Sequence, residues 1–440
     1  MTKGIKNMLV SFGEKNLSHY GGIFLIHSFC KRLKLKWRLQ KYVRFFQRNQ
    51  EYQTAEFILV IIYIIILGIR RIEKIRSLQT NGVFKKTIGM KKIPDPSAIR
   101  RFLYRLTPKA IYQIVQVHDL IQRKIFYILH TKTSITFDID AKVITVYGKR
   151  IQRAKVGYNP KRKGARSYLG FFCFESDREF WYASLRSGNV SQVKVAKHFL
   201  KRCLAKLPYP IYRIRVRLDA AFYSGELIED YLEEENIIYT IEAQITSPML
   251  GKMQSIKYHQ FEGRLEIGEF PHRPTRWRKG KKYRYIVIKR LLPKDPEEKA
   301  QLKLFEIKGY GYRVLITNLK LKPENVWKFH SQRAQGSENN IKELTKNYSL
   351  VNIPTHSYTA NIAYFQMLLF AFNIINWFKW LCLPEKYHYV TLQTIRDQLL
   401  VTPARLTKTA NKNELKFPFG YPYENLFNYA KRKTERMKQL

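Results

Sequence analysis

Two carboxylates, Asp138 and Asp140, end the apolar run Thr133-Ser-Ile-Thr-Phe-Asp-Ile-Asp140, and a third, Asp219, ends Ile214-Arg-Val-Arg-Leu-Asp219. Alternate residues of a strand face the same side, so Asp138 and Asp140 share a face. If the two runs lie side by side in a sheet, Asp219 comes up to Asp140. Like charges in contact repel by about 1 kcal/mol even in water. Such a cluster persists by taking up a cation or a proton. Two Mg²⁺ ions about 4 Å apart would resolve the repulsion and support an in-line phosphoryl displacement. A strand-end Asp also makes Asx-turns or caps the next helix, and Asp219 precedes a helix expected from Ser224, so that local reading stands beside the chemical one. Glu338, Ile341 and Leu344 share helical spacing, with Lys342 four residues beyond the Glu. Composition does not separate Glu338 from Glu343 as a further acid.

The setting of these acids is strongly basic: 80 Lys+Arg against 34 Asp+Glu, a formal net charge of +46. Plentiful Ile, Lys, Tyr, Phe and Asn suit AT-rich coding, which enriches Lys regardless of function. That bias explains neither the scarcity of acids nor the abundance of Arg. The balance implies a polyanionic partner, nucleic acid first. With 45% apolar residues and 14% aromatics, the chain is no disordered basic tail. Cys30, Cys173, Cys203 and Cys382 form no CxxC pair or metal-ligand spacing and read as reduced, buried thiols of a cytosolic protein. The first residues lack the pattern of a signal peptide. The apolar run Phe57–Ile69 falls short of the ~20 residues of a membrane span and reads as a core helix. A second run, Leu368–Leu383, is broken by Asn373, Asn376 and Lys379, so no membrane segment is expected.

Stepping along the chain, residues 1–95 read as a basic helical region. Pro94-Asp-Pro96 breaks it, and Ser97 is positioned to cap a helix over Ile99, Phe102, Leu103 and Leu106. Thr107-Pro108 starts another, whose apolar face runs from Ile111 to Leu129 and carries His118 as a core histidine. These two helices form a connector, 96–130. From Thr133 the period changes: strands at 135–146, 168–174 and 180–185, a helix at 191–207, a strand at 212–218, a helix at 224–235 and a strand at 237–241. Three strands, helix, strand, helix, strand is the order of a ribonuclease H-like α/β core, here 131–245. Alternating stretches Leu265–Phe270, Tyr283–Ile288 and Tyr312–Thr317 predict an antiparallel β-rich insertion over 246–325. A second part of the core occupies 326–385, with an apolar helix Tyr364–Leu383 stopped by Pro384. A basic C-terminal region, 386–440, follows. The acidic stretch Glu226–Glu235 reads as a solvated face.

At this point the chain resembles a bacterial insertion-sequence transposase with a DDE active site, in the thirteen-eighty group of the insertion-sequence-four-like class. The words that carry the resemblance run from Asp138-Ile-Asp-Ala-Lys-Val-Ile-Thr-Val-Tyr-Gly148 and Val156-Gly-Tyr-Asn-Pro-Lys-Arg-Lys-Gly164 through Leu185-Arg-Ser-Gly-Asn189 to Arg217-Leu-Asp-Ala-Ala-Phe-Tyr-Ser-Gly225 and Gln332-Arg-Ala-Gln-Gly-Ser-Glu-Asn-Asn-Ile-Lys-Glu-Leu344. The resemblance implies that Asp140, Asp219 and Glu338 are the catalytic, metal-binding acids, holding two Mg²⁺ ions for which Mn²⁺ could substitute. It implies cut-and-paste transposition: nicking at the transposon end, hairpin formation and opening, then strand transfer. Double-stranded DNA, as inverted-repeat ends and target, would be the partner, and a homodimer would bring two ends together in a bacterial cytoplasm, at the nucleoid. The family's third-acid pattern is Tyr, two residues, Arg, three residues, Glu, six residues, Lys. Here His330 stands for the Tyr, four residues separate Arg333 from Glu338, and Thr345 stands at the Lys position with Lys346 next. Ala141 follows the first acid where Ser or Thr is usual.

DNA contacts are expected from Arg333, Lys342 and Lys346, and from the tyrosine-flanked loop Tyr158–Tyr168 with Lys161, Arg162, Lys163 and Arg166. Cations suit phosphates and an aromatic ring suits an unstacked base. A second basic loop, 273–282, carries Trp277, a candidate receiver for a flipped base or a packing residue beneath the β-rich insertion. The N-terminal helices, basic at Lys31–Lys36 and Arg70-Arg71, are expected to grip transposon ends. Two alternatives stay open: an inactive protein that only binds transposon ends, and an RNA-processing nuclease of the same fold.

Overall fold

The computed structural model describes residues 12–45, 51–129, 133–176, 179–208, 211–263, 265–275, 277–293, 305–307, 309–409 and 412–440. The chain folds as two compact units. One comprises residues 1–124 and 346–440, the other residues 125–345, and the chain passes between them within the helices Pro108–Leu129 and Asn339–Lys346.

The first unit is helical. Its centre is Thr54–Ile66, apolar on every side and buried from Phe57 to Ile66, as a fully enclosed helix must be. A capping box between Gln53 and Glu56 starts it. Its last carbonyls, Ile65 O and Ile66 O, accept from the buried Arg396 guanidinium at 2.9 and 2.6 Å, and Asn347 O accepts from the same group at 2.8 Å. Beside it runs Tyr358–Cys382, capped by Ser357. This helix is long and apolar enough to cross a membrane, yet most of it is buried within the unit. Asn373 bonds His118 at 2.9 Å, and the His118 ring stacks on Phe370, so His118 is the core histidine that its helical face implies. The cap of Pro96–Arg105 is Asp95, whose carboxylate accepts from Ser97 N–H, rather than Ser97 itself. With Pro96 at the first helical position, the residue before it takes the extended backbone a cap needs. Residues 404–409 and 412–416 form a hairpin that pairs with Leu17–Ser18. The sequence reading had no strands there, because the pairing joins the two ends of the unit.

The second unit is α/β and built on one mixed sheet of eleven strands among the described residues. They are β1 (Ser134–Thr145), β2 (Lys155–Val156), β3 (Arg166–Glu175), β4 (Phe180–Ser187), β5 (Arg213–Leu218), β6 (Ile238–Glu242), β7 (His259–Gln260), β8 (Leu265–His272), β9 (Tyr283–Leu291), β10 (Phe305–Ile307) and β11 (Tyr310–Thr317). The path runs β2-β3-β1-β5-β6-β11-β9-β8-β7, with β4 on β3 and β10 on β11. β1, β5 and β6 are parallel neighbours, and the other pairings are antiparallel. The stretch expected as an antiparallel β-rich insertion carries the same sheet onward, since β11 pairs with β6.

Alternation divides the two faces. Ile135, Phe137 and Ile139 of β1, Val216 and Leu218 of β5, and Tyr239 and Ile241 of β6 enter one core with Trp181 of β4 and Phe199 of the helix Gln192–Leu204. Each such side chain contributes about 1.5–3 kcal/mol on burial. The opposite face presents Asp138, Arg217 and Thr240, all buried. Against that face lie Pro323–Ser331 and a π-helical turn, Ala334–Glu338, which leads into Asn339–Lys346. The helix expected at 224–235 is also interrupted, by a π turn over Ile228–Leu232.

Replacing Arg396 by Ala is expected to take the side-chain donor from the buried Ile66 carbonyl, while Ile65 O keeps the Gly68 N–H, and to cost about 3 kcal/mol. Thermal unfolding followed by circular dichroism should fall by roughly 6–10 °C; an unchanged midpoint would show that Arg396 does not cap Thr54–Ile66.

Candidate active site

The parallel registers Ile139↔Leu218 and Leu218↔Ile241 set the next residues, Asp140, Asp219 and Glu242, at matching heights on three adjacent strands. Asp140 is nearly buried. Its Oδ1 accepts from the Ala141 N–H at 2.7 Å and its Oδ2 lies 3.3 Å from Arg333 Nη1. Asp219 sits just past β5, where Oδ1 accepts from Ala221 N–H at 2.8 Å. That is the Asx-turn the local reading anticipated, and it leaves Oδ2 outside the bond.

Glu338 ends the π turn with its side chain 56% exposed, and its Oε1 accepts from Arg333 Nη2 at 3.1 Å. The extra residue between Arg333 and Glu338 finds its account here. In an α-helix, residues five apart point about 140° away from one another. The π turn, closed by the Asn339 N–H on Ala334 O, bonds i to i+5 and brings Glu338 back over Arg333. His330, where the resemblance expects a Tyr, is buried and shares a 3.0 Å hydrogen bond with Thr240 Oγ1. Burial, and then the cations around it, hold its pKa well below the usual histidine value.

Arg333 thus stands between two of the three acids. Burial pushes the Asp140 carboxyl up to about 6, with Arg333 pulling it down against the charges of Asp219 and Glu338. Burial also raises Glu242, whose neighbours include Arg313, Arg333, Asp219 and Glu338. Glu242 is the acid the sequence reading missed. Its signal was its place at the end of a strand parallel to the Asp219 strand. Among the described residues, no three His, Cys, Asp or Glu side chains converge as a ready-made ion site.

Asp138, on the same face as Asp140, is fully buried and bonded twice by Arg217, Nε to Oδ1 at 2.5 Å and Nη2 to Oδ2 at 2.8 Å. Arg217 Nη1 donates to Phe329 O at 2.8 Å and to Gln332 Oε1 at 3.0 Å.

The other expected contact residues sort differently. Tyr158, Lys161, Arg162 and Lys163 are exposed, with Arg162 5.2 Å over the Tyr147 ring. Arg166 instead spends its guanidinium on the carbonyls of Ala154, Lys149 and Ile151, tying the strand ends around the loop. Lys342 and Lys346 are exposed, four and eight residues beyond Glu338. The Trp277 ring is half-buried against Gly225, Tyr223 and Tyr283, the packing use that stood beside base reception. Arg276 lies outside the described residues.

The acidic stretch is not the solvated face expected of it. Glu229 is buried and accepts from the Arg278 and Lys279 N–H groups and from the Tyr283 hydroxyl. Asp230, Glu234 and Glu233 pair with Arg278, Lys279 and Lys281. Helical spacing showed acids on the surface of their own element, but not the cations that another loop folds against them.

No curated protein matches the chain. A family model described as transposase DDE domain group 1 matches residues 2–439, effectively the whole chain. That match shows that this chain belongs to the DDE transposase family.

Proposed function

We propose that this protein is a cut-and-paste insertion-sequence transposase of the thirteen-eighty group, with Asp140, Asp219 and Glu338 as its catalytic acids. The observation that carries the reading is Arg333, which touches Asp140 and Glu338 at once while the charge of Asp219 bears on both Asp140 and Arg333. The sheet order β4-β3-β1-β5-β6, with crossovers through Gln192–Leu204 and 225–232, supports a ribonuclease H-like core. Strands β7–β11 then form a β-rich insertion grafted onto its edge.

The donor set fits Mg²⁺ in kind, being carboxylate oxygen alone with mutual repulsion for a dication to relieve. Two bound ions would supply an activated nucleophile and stabilise the leaving oxygen. Asp140, Asp219 and Glu338 would hold them. Arg333 would turn its guanidinium to a phosphate, the anion its planar fork suits. Lys342 and Lys346 would follow the backbone beyond the cut, and Lys161, Arg162, Lys163 and Tyr158 would grip the end DNA. Reaction at each end would proceed from a nick through a hairpin to strand transfer, with a homodimer joining two ends in the bacterial cytoplasm.

The test is nicking of plasmid DNA carrying the sequences that flank the reading frame. Asp219→Ala and Glu338→Ala should each lower the Mg²⁺-dependent rate by about 10³-fold or more while retaining DNA binding. Parent-like cutting by either variant would remove that residue from the chemistry. Retained binding with no nicking by the parent would favour the inactive end-binding protein, and preference for RNA or hybrid duplex would favour the RNA nuclease.

Below about pH 6, Asp140 takes up a proton and loses the charge that a dication needs. The Mg²⁺ midpoint for nicking should therefore rise about fourfold from pH 8 to pH 5.5. A midpoint independent of pH over that range would contradict the assignment.

Changing Lys161, Arg162 and Lys163 together to Ala should reduce the slope of log affinity against log salt by about 2–3. An unchanged slope in a salt titration would mean that the loop does not meet phosphates.

A further inference from the structure

The Asp138–Arg217 pair lies one residue pair beneath the proposed acids. Asp138 precedes Asp140 by two and Arg217 precedes Asp219 by two, so strand alternation turns all four to the same face. Asp138 and Arg217 are register partners across the parallel β1–β5 ladder. Both are essentially inaccessible to solvent, at 0% and 2% exposure.

Each partner also reaches the segment above the sheet. Arg217 Nη1 holds the Phe329 carbonyl and Gln332 Oε1, and its guanidinium lies 5.0 Å over the Phe329 ring. Asp138 Oδ2 faces Gly336, where a β-carbon would collide with that oxygen. Gly336 is the middle residue of the π turn Ala334–Glu338. One ion pair therefore touches β1, β5 and the turn, the three places from which Asp140, Asp219 and Glu338 come. Stability alone does not call for it, because a well-packed apolar pair serves a core as well as a buried ion pair. A bidentate fork fixes distance and orientation where an apolar contact allows sliding.

We infer that Asp138 and Arg217 are positioning residues that set the height and register of the π turn over the strand ends, so that Glu338 faces the two aspartates. This rests on the three-acid reading above and deepens it. Gly336 allows the close approach, and Gln332 is the outer fastening.

The experiment uses the full chain as parent, Arg217→Lys, Asp138→Asn, Gln332→Ala and Asp140→Ala. Three quantities are measured: the Mg²⁺ dependence of end nicking, end binding without metal, and backbone cleavage of the protein by Fe²⁺ and peroxide. The last requires no DNA cutting. Arg217→Lys and Asp138→Asn should bind ends as the parent does. They should nick about a hundredfold more slowly, with an Mg²⁺ midpoint about tenfold higher. Fe²⁺ cleavage near residue 338 should be lost while cuts near 140 and 219 remain. Gln332→Ala, which leaves the ion pair intact, should move the midpoint and the 338 cut in the same direction by less.

If Asp140→Ala nicks like the parent, the three-acid reading fails, and this inference falls with it. If Asp140→Ala is inactive while Arg217→Lys and Gln332→Ala keep the parent's midpoint and Fe²⁺ pattern, the positioning role alone is overturned. Should Arg217→Lys fail to fold, Gln332→Ala decides: the exposed Gln332 can be removed without burying a charge, and a parent-like midpoint and Fe²⁺ pattern there overturn the inference.

Discussion

A charge buried in the sheet of the second unit constrains everything around the site. Asp138 has no access to water, and an unpaired carboxylate there would be costly, so Arg217 must meet it with both prongs of its fork. The fork leaves one nitrogen free, and that nitrogen binds the end of Pro323–Ser331. The turn that follows can approach only because residue 336 has no side chain. Asp140, Asp219 and Glu338 are then brought into one electrostatic neighbourhood by groups that lie beneath them.

The π turn is the second consequence. Residues 333 and 338 are five apart, and an ordinary helix would point the acid away from the arginine. A π turn costs hydrogen-bond quality and persists where surrounding contacts over-determine it. Here the Asp138–Gly336 approach, the Arg333 bridges and the buried Ser337 and Asn340 provide those contacts. The five-residue separation is thus accommodated locally, and the arginine still reaches the glutamate.

The few acids of this +46 chain are placed with economy. One set surrounds Arg333. Another, Glu229, Asp230, Glu233 and Glu234, meets the basic loop around Trp277 and neutralises part of it. Among the described residues, the loop at 161–163 has no comparable acidic partner, and its cations are exposed. Two loops of similar composition therefore differ in the charge they offer to an anion, and composition alone could not rank them.

The sequence by itself determined the period of each strand, the apolar helices that had to be enclosed, the face shared by Asp138 and Asp140, and the words that mark the family. Those properties are local, set by alternation, helical spacing and turn chemistry. Only the tertiary structure decided that β7–β11 extend the sheet, that Asp95 caps where Ser97 was expected, and that Arg166 serves backbone carbonyls. It also brought Glu242 level with Asp219 and returned Glu338 to Arg333. Each of those outcomes depends on which distant backbone supplies a partner for a buried charge or an unpaired hydrogen-bonding group, and that choice is made only when the chain closes on itself.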